Sequence, residues 1–323
     1  MSEVSSNNAQ VAVIIPVRNR PDFLRDCLNS LVTQAFPIKQ CEVIVCDDHS
    51  EEDLEPVIET FRSHLPKLKL LRQHEHRGPA AARNMGFRSS MADIFVCVDS
   101  DIICHPQYLT ELIEALEANP KWVSAEATLT PIGGSVSPLW DAPVGEGKAY
   151  LSSASAYRAV ALRQAGGFDE MFPFYCEDAE LAAKLLLLGE YGYAPKSIAY
   201  HPRRRVTLRT HWNWRSTWKY IMILAKRHAC LAFPGRPAGQ FPRIRVAVAA
   251  VITLPLGRFL EACKHTKQDF REGIIASFYA LFDVIIGLTA LPAIFFSTVP
   301  PRRNYLEVKP SEGKNIPKSK LPG

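Results

Sequence analysis

Between Val11 and Val98 short apolar runs alternate with helix-patterned segments, and that alternation commits the chain to an α/β architecture. Val11 to Val17 (VAVIIPV) is continuously apolar, as a strand covered on both faces requires, and it stops at the turn-prone Arg18-Asn19-Arg20-Pro21. From Pro21, a suitable first helical residue, Phe23, Leu24, Cys27, Leu28, Leu31 and Val32 recur at helical spacing. Cys41 to Cys46 is a second buried strand that breaks on Asp47-Asp48-His49-Ser50. Leu54, Val57, Ile58 and Phe61 mark a helix, Leu68 to Leu71 a strand, Ala80 to Arg88 a helix behind Gly78-Pro79, and Ile94 to Val98 a fourth strand. Right-handed crossovers of this kind build a mostly parallel central sheet.

In such sheets ligands bind at the carboxyl ends of the strands. Here those ends carry Arg18-Asn19, Asp47-Asp48 and Asp99-Ser100-Asp101, so three polar clusters share one rim. Asp-Xaa-Asp alone is a common surface turn, but carboxylates at a strand end also suit Mg²⁺ or Mn²⁺ and, through the ion, a nucleotide diphosphate. Beyond Pro106 a helix (Tyr108 to Glu117) leads to a strand at Trp122 to Ala127, and a Gly/Pro/Ser loop at 133–138 separates a nucleotide half (11–130) from an acceptor half (131–225). Ser152 to Ala156 is small and polar, Val160 to Ala165 helical, and Gly166-Gly167-Phe168-Asp169-Glu170 a turn. Glu177-Asp178 opens a helix running to Leu188. An acidic pair there either answers the helix macrodipole or supplies a catalytic base.

With 323 residues, 47% hydrophobic and 22% charged, the chain has a globular core and room for an appendage. A net charge of +5 is too small at this length to indicate a nucleic-acid partner. The eight cysteines include no Cys-Xaa-Xaa-Cys, and Cys46 and Cys97 sit inside apolar runs, which is the pattern of reduced, cytosol-facing thiols. Residues 1–10 form a polar tail without the basic and apolar regions of a secretory signal, placing the amino-terminal domain in the cytoplasm.

Together these blocks resemble the inverting family 2 glycosyltransferases of GT-A fold, over residues 11–225. Ile15-Pro16-Val17-Arg18-Asn19 resembles their first strand and base loop, Asp47-Asp48 their second acidic motif, and Gly78 to Gly86, with Arg83 and Asn84, their donor-contacting segment. The resemblance implies a ribose-side role for Asp99, metal ligation by Asp101, an acceptor-side turn at Gly167, Phe168 and Asp169, and Asp178 as base with Glu177 beside it. His201 stands where related enzymes place a histidine near metal or diphosphate, although a lone histidine is also an ordinary structural residue. Arg203 to Arg205 is equally a diphosphate contact, a lipid-headgroup contact or a solvated face. A UDP-, GDP- or dTDP-sugar would be the donor, Mg²⁺ or Mn²⁺ the cofactor, and a lipid-linked or cell-envelope glycan precursor the acceptor. The chain departs from the family at His49, where Gly or Asn is commoner. It also lacks Gln-Xaa-Xaa-Arg-Trp, for which His211-Trp212-Asn213-Trp214-Arg215 is a loose echo, and this favours single-sugar addition. A nucleotidyltransferase of similar core lacks support because no Gly-rich, Lys-containing loop follows Val17; a non-catalytic membrane scaffold is disfavoured by the intact carboxylates.

Residues 226–300 read as a membrane-associated helical hairpin and 301–323 as a basic flexible tail. Val246 to Gly257 is apolar but short, whereas Ile274 to Val299 is long enough for a tilted span interrupted by Asp283 and Pro292. The basic residues of the tail (Arg302, Arg303, Lys309, Lys314, Lys318 and Lys320) outnumber those of the connecting loop, as a catalytic domain on the cytoplasmic face requires. Spanning and in-plane hairpins satisfy that bias equally. The nearby tryptophans suit either a membrane interface or a buried helix.

Overall fold

The computed structural model describes residues 10–133, 137, 139–143, 145, 147, 150–172, 174–213, 217–228, 248–265, 269–296, 298, 300, 301 and 303–306. Strands β1 (Val11–Val17), β2 (Glu42–Asp47), β3 (Leu68–Arg72) and β4 (Ile94–Val98) are parallel and lie in the order β3-β2-β1-β4. The sheet continues through β8 (Ala154–Arg158), β6 (Trp122–Ile132), β9 (Glu190–Pro202) and the edge strand β5 (Ile103–Cys104). β8 runs antiparallel to both β4 and β6, and β5 antiparallel to β9, so the eight-stranded sheet is mostly parallel. β7 (Trp140–Asp141) and β10 (Arg204–Arg205) form a separate antiparallel pair.

Side-chain alternation along the strands splits the core into two layers. Val11, Val13 and Ile15 of β1 pack with Val43, Val45 and Val96 beneath α1 (Pro21–Val32), α2 (Glu55–Phe61) and α4 (Tyr108–Ala118). Ala12 and Ile14 face the opposite way, with Ile44, Cys46, Phe95 and Cys97, beneath α3 (Pro79–Arg88), α5 (Ala159–Gln164) and α6 (Glu177–Leu185). The continuous apolar runs of β1 and β4 follow directly, since every residue of each is buried.

Several boundaries differ from the sequence pattern. β6 runs on to Ile132, five residues past the expected end, because β9 pairs with it along its whole length across two register shifts. The small, polar stretch at Ser152 to Ala156 leads into β8 in mid-sheet, where Ala154, Ser155 and Ala156 are buried by neighbouring strands. α6 starts at Glu177 and ends at Leu185, three residues short of Leu188.

Helices α7 (Leu208–Asn213) and α8 (Thr217–Arg227) follow the sheet, and a π-helical turn (Ala249–Thr253) leads into α9 (Leu254–His265) and α10 (Phe270–Phe296), which pair as the expected hairpin. The boundary expected at 225 falls inside α8: Trp218, Met222 and Ala225 pack on Ala250, Ala290 and Ile294 of the hairpin. Gly287 permits the closest crossing, for a Cβ there would lie 2.3 Å from the Ala250 carbonyl oxygen. Asp283 is buried. It accepts from Arg258 at 2.7 Å and lies 2.6 Å from His211 Nδ1. Trp218 is buried and Trp212 is half-exposed beside Phe282, whereas Trp214 and Arg215 lie outside the described residues.

Only α10 among the described helices is long and apolar enough to cross a membrane, with a mean hydropathy of 2.1. α9 has twelve residues and carries Arg258, Glu261 and Lys264. The flexible tail expected from residue 301 begins instead with a docked segment. Tyr305 donates its backbone N–H to the Gly166 carbonyl and accepts from Arg88, each at 2.9 Å, and Leu306 packs against Gly167. Arg302, Lys309, Lys314, Lys318 and Lys320 lie outside the described residues, as do residues 1–9 and most of the loop expected at 133–138.

Candidate active site

The carboxyl ends of β1, β2 and β4 open onto a cleft of about 590 Å³, closed from the other side by α6 and the end of β9. Its wall includes Pro16, Arg18 and Asn19 from the first loop, Asp48 from the second, Arg83 from α3, and Asp99 and Asp101 after β4. Glu177, Asp178 and His201 complete it. Ten of the residues singled out from the sequence therefore share one cavity.

The loops are stapled to one another. Asn19 takes a positive φ of 52°, its backbone N–H donates to Ser50 Oγ at 2.9 Å, and its Oδ1 accepts from the Glu51 N–H at 2.7 Å. Asp48 accepts from the Gly78 and Arg77 N–H groups at 2.9 and 2.8 Å and from Gln73 at 3.0 Å, with His76 Nδ1 at 2.7 Å. Its carboxylate thus fixes the loop that opens α3 while keeping an edge in the cleft.

Arg83 is the central cation. Its side chain is 3% exposed, it donates to Asp99 at 2.7 Å, it lies 3.8 Å from Glu177, and its guanidinium rests over the Phe168 ring. Cys176 takes the left-handed conformation (φ 69°) immediately before α6, and the sharp turn delivers Glu177 and Asp178 to the cleft. Burial pushes the Glu177 carboxyl up, reinforced by the neighbouring Asp178, against the opposing pull of Arg83. Burial raises Asp178 as well, and Arg83 and a hydrogen bond donated by Ser152 Oγ hold that rise down. Two adjacent carboxyl groups with elevated proton affinity, one partly open to the cleft, have the chemistry that an acid–base role requires.

Asp101 is 3% exposed and receives Arg20 at 2.7 Å and Arg204 at shorter range. His201 Nε2 stands 3.5 Å from its Oδ1. His201 Nδ1 lies 2.7 Å from the Pro202 carbonyl, which only accepts, so Nδ1 carries a proton and Nε2 is the ring nitrogen that faces Asp101. A carboxylate oxygen and an imidazole nitrogen facing each other fit a divalent cation that takes its remaining ligands from phosphate and water. Among the described residues no group of three or more His, Cys, Asp or Glu has a metal-holding arrangement, so the protein's share of such a site is these two donors.

Residues 12–134 match the family model described as glycosyl transferase family 2. This span carries the Asp48 loop, Arg83 on α3, and Asp99 and Asp101 after β4. The glycosyltransferase AglE of Haloferax volcanii is 30% identical over 133 residues, 41% of this chain and 44% of that protein. The matched stretch thus spans under half of that relative's length. S. aureus TarS 1-349 in complex with UDP-GlcNAc superposes with a TM-score of 0.54 at 18% identity, covering 88% of this chain and 83% of that one. The mannosyltransferase PcManGT from Pyrobaculum calidifontis, in complex with GDP-Man and Mn²⁺, gives 0.56 at 17%, covering 90% and 87%. The fold is GT-A, as expected from the motif order.

Five expected site residues lie outside the cleft lining. Asp47 is buried, caps the Ser50 N–H at 2.8 Å and pairs with Arg72 at 3.4 Å, shaping the loop that presents Asp48. Asn84 is fully buried and binds the backbone of Phe168 through both ends of its amide, at 2.9 and 3.0 Å. Gly167 is pressed between Asn84 and Leu306, Phe168 is fully buried beneath Arg83, and Asp169 accepts from Arg227 at 2.6 Å and from Tyr305 at 3.1 Å. The 166–170 turn therefore braces α3 against the segment at Tyr305 and Leu306 and does not line this cleft. Arg20 and Arg204 were not expected individually; Arg20 followed a named pair, and Arg204 lay in a run that also read as solvated.

Proposed function

We propose that this chain transfers one sugar from a nucleotide-diphosphate donor, a UDP-, GDP- or dTDP-sugar, to an acceptor hydroxyl with inversion. The observation that carries the reading is the placement of Glu177-Asp178 across one cleft from Asp99 and Asp101. Asp178, partly open to the cleft and with its proton affinity raised, takes the acceptor hydroxyl proton as the new bond forms. Asp99, held by Arg83, contacts the donor ribose, and Pro16, Arg18, Asn19 and Asp48 line the nucleotide end. The diphosphate leaves from the face opposite the attacking oxygen, so no protein nucleophile is required and the anomeric centre inverts. Mg²⁺ or Mn²⁺ at Asp101 and His201 would supply Lewis-acid charge to the leaving diphosphate. TarS with UDP-GlcNAc and PcManGT with GDP-Man and Mn²⁺ support donors and cofactor of these classes on the same fold.

A lipid-linked envelope glycan precursor is the proposed acceptor, on the cytoplasmic face of the membrane, with the hairpin as anchor. Exposed Ile274, Phe278, Leu281, Ile285 and Leu288 give α10 an apolar outer face. An apolar cavity of about 200 Å³ between α8 and the hairpin, lined by Trp218, Ile221, Leu254 and Ile286, shares Tyr175 with the catalytic cleft.

The test is a titration of nucleotide sugars with and without Mn²⁺, combined with transfer assays. Asp178→Asn is expected to bind donor and lose transfer; Asp101→Ala is expected to lose both transfer and the Mn²⁺-dependent part of donor binding. Wild-type turnover in either variant removes the corresponding role.

A further inference from the structure

Four arginines line the cleft, and they are not equivalent. Arg83 is buried between Asp99 and Glu177 and cannot leave without stranding both. Arg20 and Arg204 are 40% and 54% exposed, and both rest on the same carboxylate oxygen of Asp101, which is itself buried. A carboxylate engaged by two guanidinium groups is a poor cation ligand until they depart. Long half-exposed arginines depart readily when a better anion arrives, and a diphosphate offers fork-matched oxygens at higher charge.

We infer, resting on the nucleotide-diphosphate reading above, that Arg20 and Arg204 bind the donor diphosphate and, in its absence, block Asp101, so that nucleotide binding itself opens the cation site. Arg20 approaches from the loop after β1 and Arg204 from β10, so they reach Asp101 from separate elements. Their transfer to the phosphates leaves Asp101 facing His201 Nε2. Because binding linkage is reciprocal, a nucleotide that uncovers Asp101 must tighten the cation by the factor the cation tightens the nucleotide.

The experiment titrates the full chain with Mn²⁺ alone, with UDP alone, and with Mn²⁺ at saturating UDP. Arg20→Ala and Arg204→Ala are each expected to tighten Mn²⁺ alone by about three- to tenfold, the scale of one exposed ion pair with added hydrogen bonding. The same variants are expected to weaken UDP, so the linkage between the two ligands shrinks. A variant that gains cation affinity is folded by that fact. Arg18→Ala removes a charge from the same cleft without a hydrogen bond to Asp101 and separates general charge loss from release of Asp101: it should weaken UDP while moving Mn²⁺ alone by less than half as much. Unchanged or weaker Mn²⁺ binding in both Asp101-contact variants overturns the inference, as does equal tightening in Arg18→Ala. Wild-type chain that binds none of UDP, GDP or dTDP overturns the donor reading with it; wild-type binding with unmoved variants overturns this inference alone.

Discussion

Glu177 and Asp178 carry protons more tightly than exposed carboxyls because burial penalises their charge. An acid with a raised pKa in the folded state binds more protons folded than unfolded between its two pKa values. Stability therefore falls as pH climbs through that window and stays lost above it. Asp178→Asn is expected to raise the unfolding midpoint by about 2 °C at pH 8, and by less at pH 4, while transfer falls about 10²–10⁴-fold. Equal midpoint shifts at both pH values would count against the buried-charge account. Asn84 gives the opposite expectation. Asn84→Ala leaves the Phe168 backbone unpaired and should cost about 1–3 kcal/mol in denaturant unfolding, with UDP affinity in the folded fraction unchanged. Motif spacing singled out Asn84 and Asp169 along the chain but could not give their direction. Arg83 and Asn84 are neighbours on α3, and one faces the cleft while the other faces the turn.

Among the elements, β1, β2 and β4 were legible because strands covered on both faces show an uninterrupted apolar run. β8 and β9 were not. Ala-Ser-Ala carries little strand preference, and burial between β4 and β6 decides its conformation; β9 mixes Gly192, Lys196 and Tyr residues and is shaped by two register shifts against β6. The hairpin was legible from its hydropathy, but its docking was not, because it depends on Gly287 meeting Ala250 and on Asp283 meeting His211 and Arg258. Gly287→Val should force the π-helical turn away from α10 and lower stability by about 1–3 kcal/mol, read as earlier unfolding and faster proteolysis within 248–296. Nucleotide binding at the distant cleft should persist.

For the whole molecule, the amino-terminal sheet and the carboxyl-terminal helices share side chains and do not form separable halves. Arg227 at the end of α8 donates to Asp169 and to the Pro300 carbonyl, and Tyr305 closes on the same aspartate. Deleting residues 243–323 is expected to move the protein from the vesicle pellet to the soluble fraction, and at the same time to lower its unfolding midpoint. Persistent sedimentation would reject the hairpin as anchor; an undiminished midpoint would reject the bracing role of Tyr305 and Leu306. The docked segment has a mechanical meaning too. A hairpin tethered at one end swings like a flag, but this one packs on α8 while the segment beyond it is fastened at Gly166, so it is held at two separate places. Were the hairpin embedded in a bilayer, the cleft carboxylates would ride at a set standoff from the lipid surface. Acceptors would then be sorted by how far their hydroxyl projects, as a ruler sorts lengths.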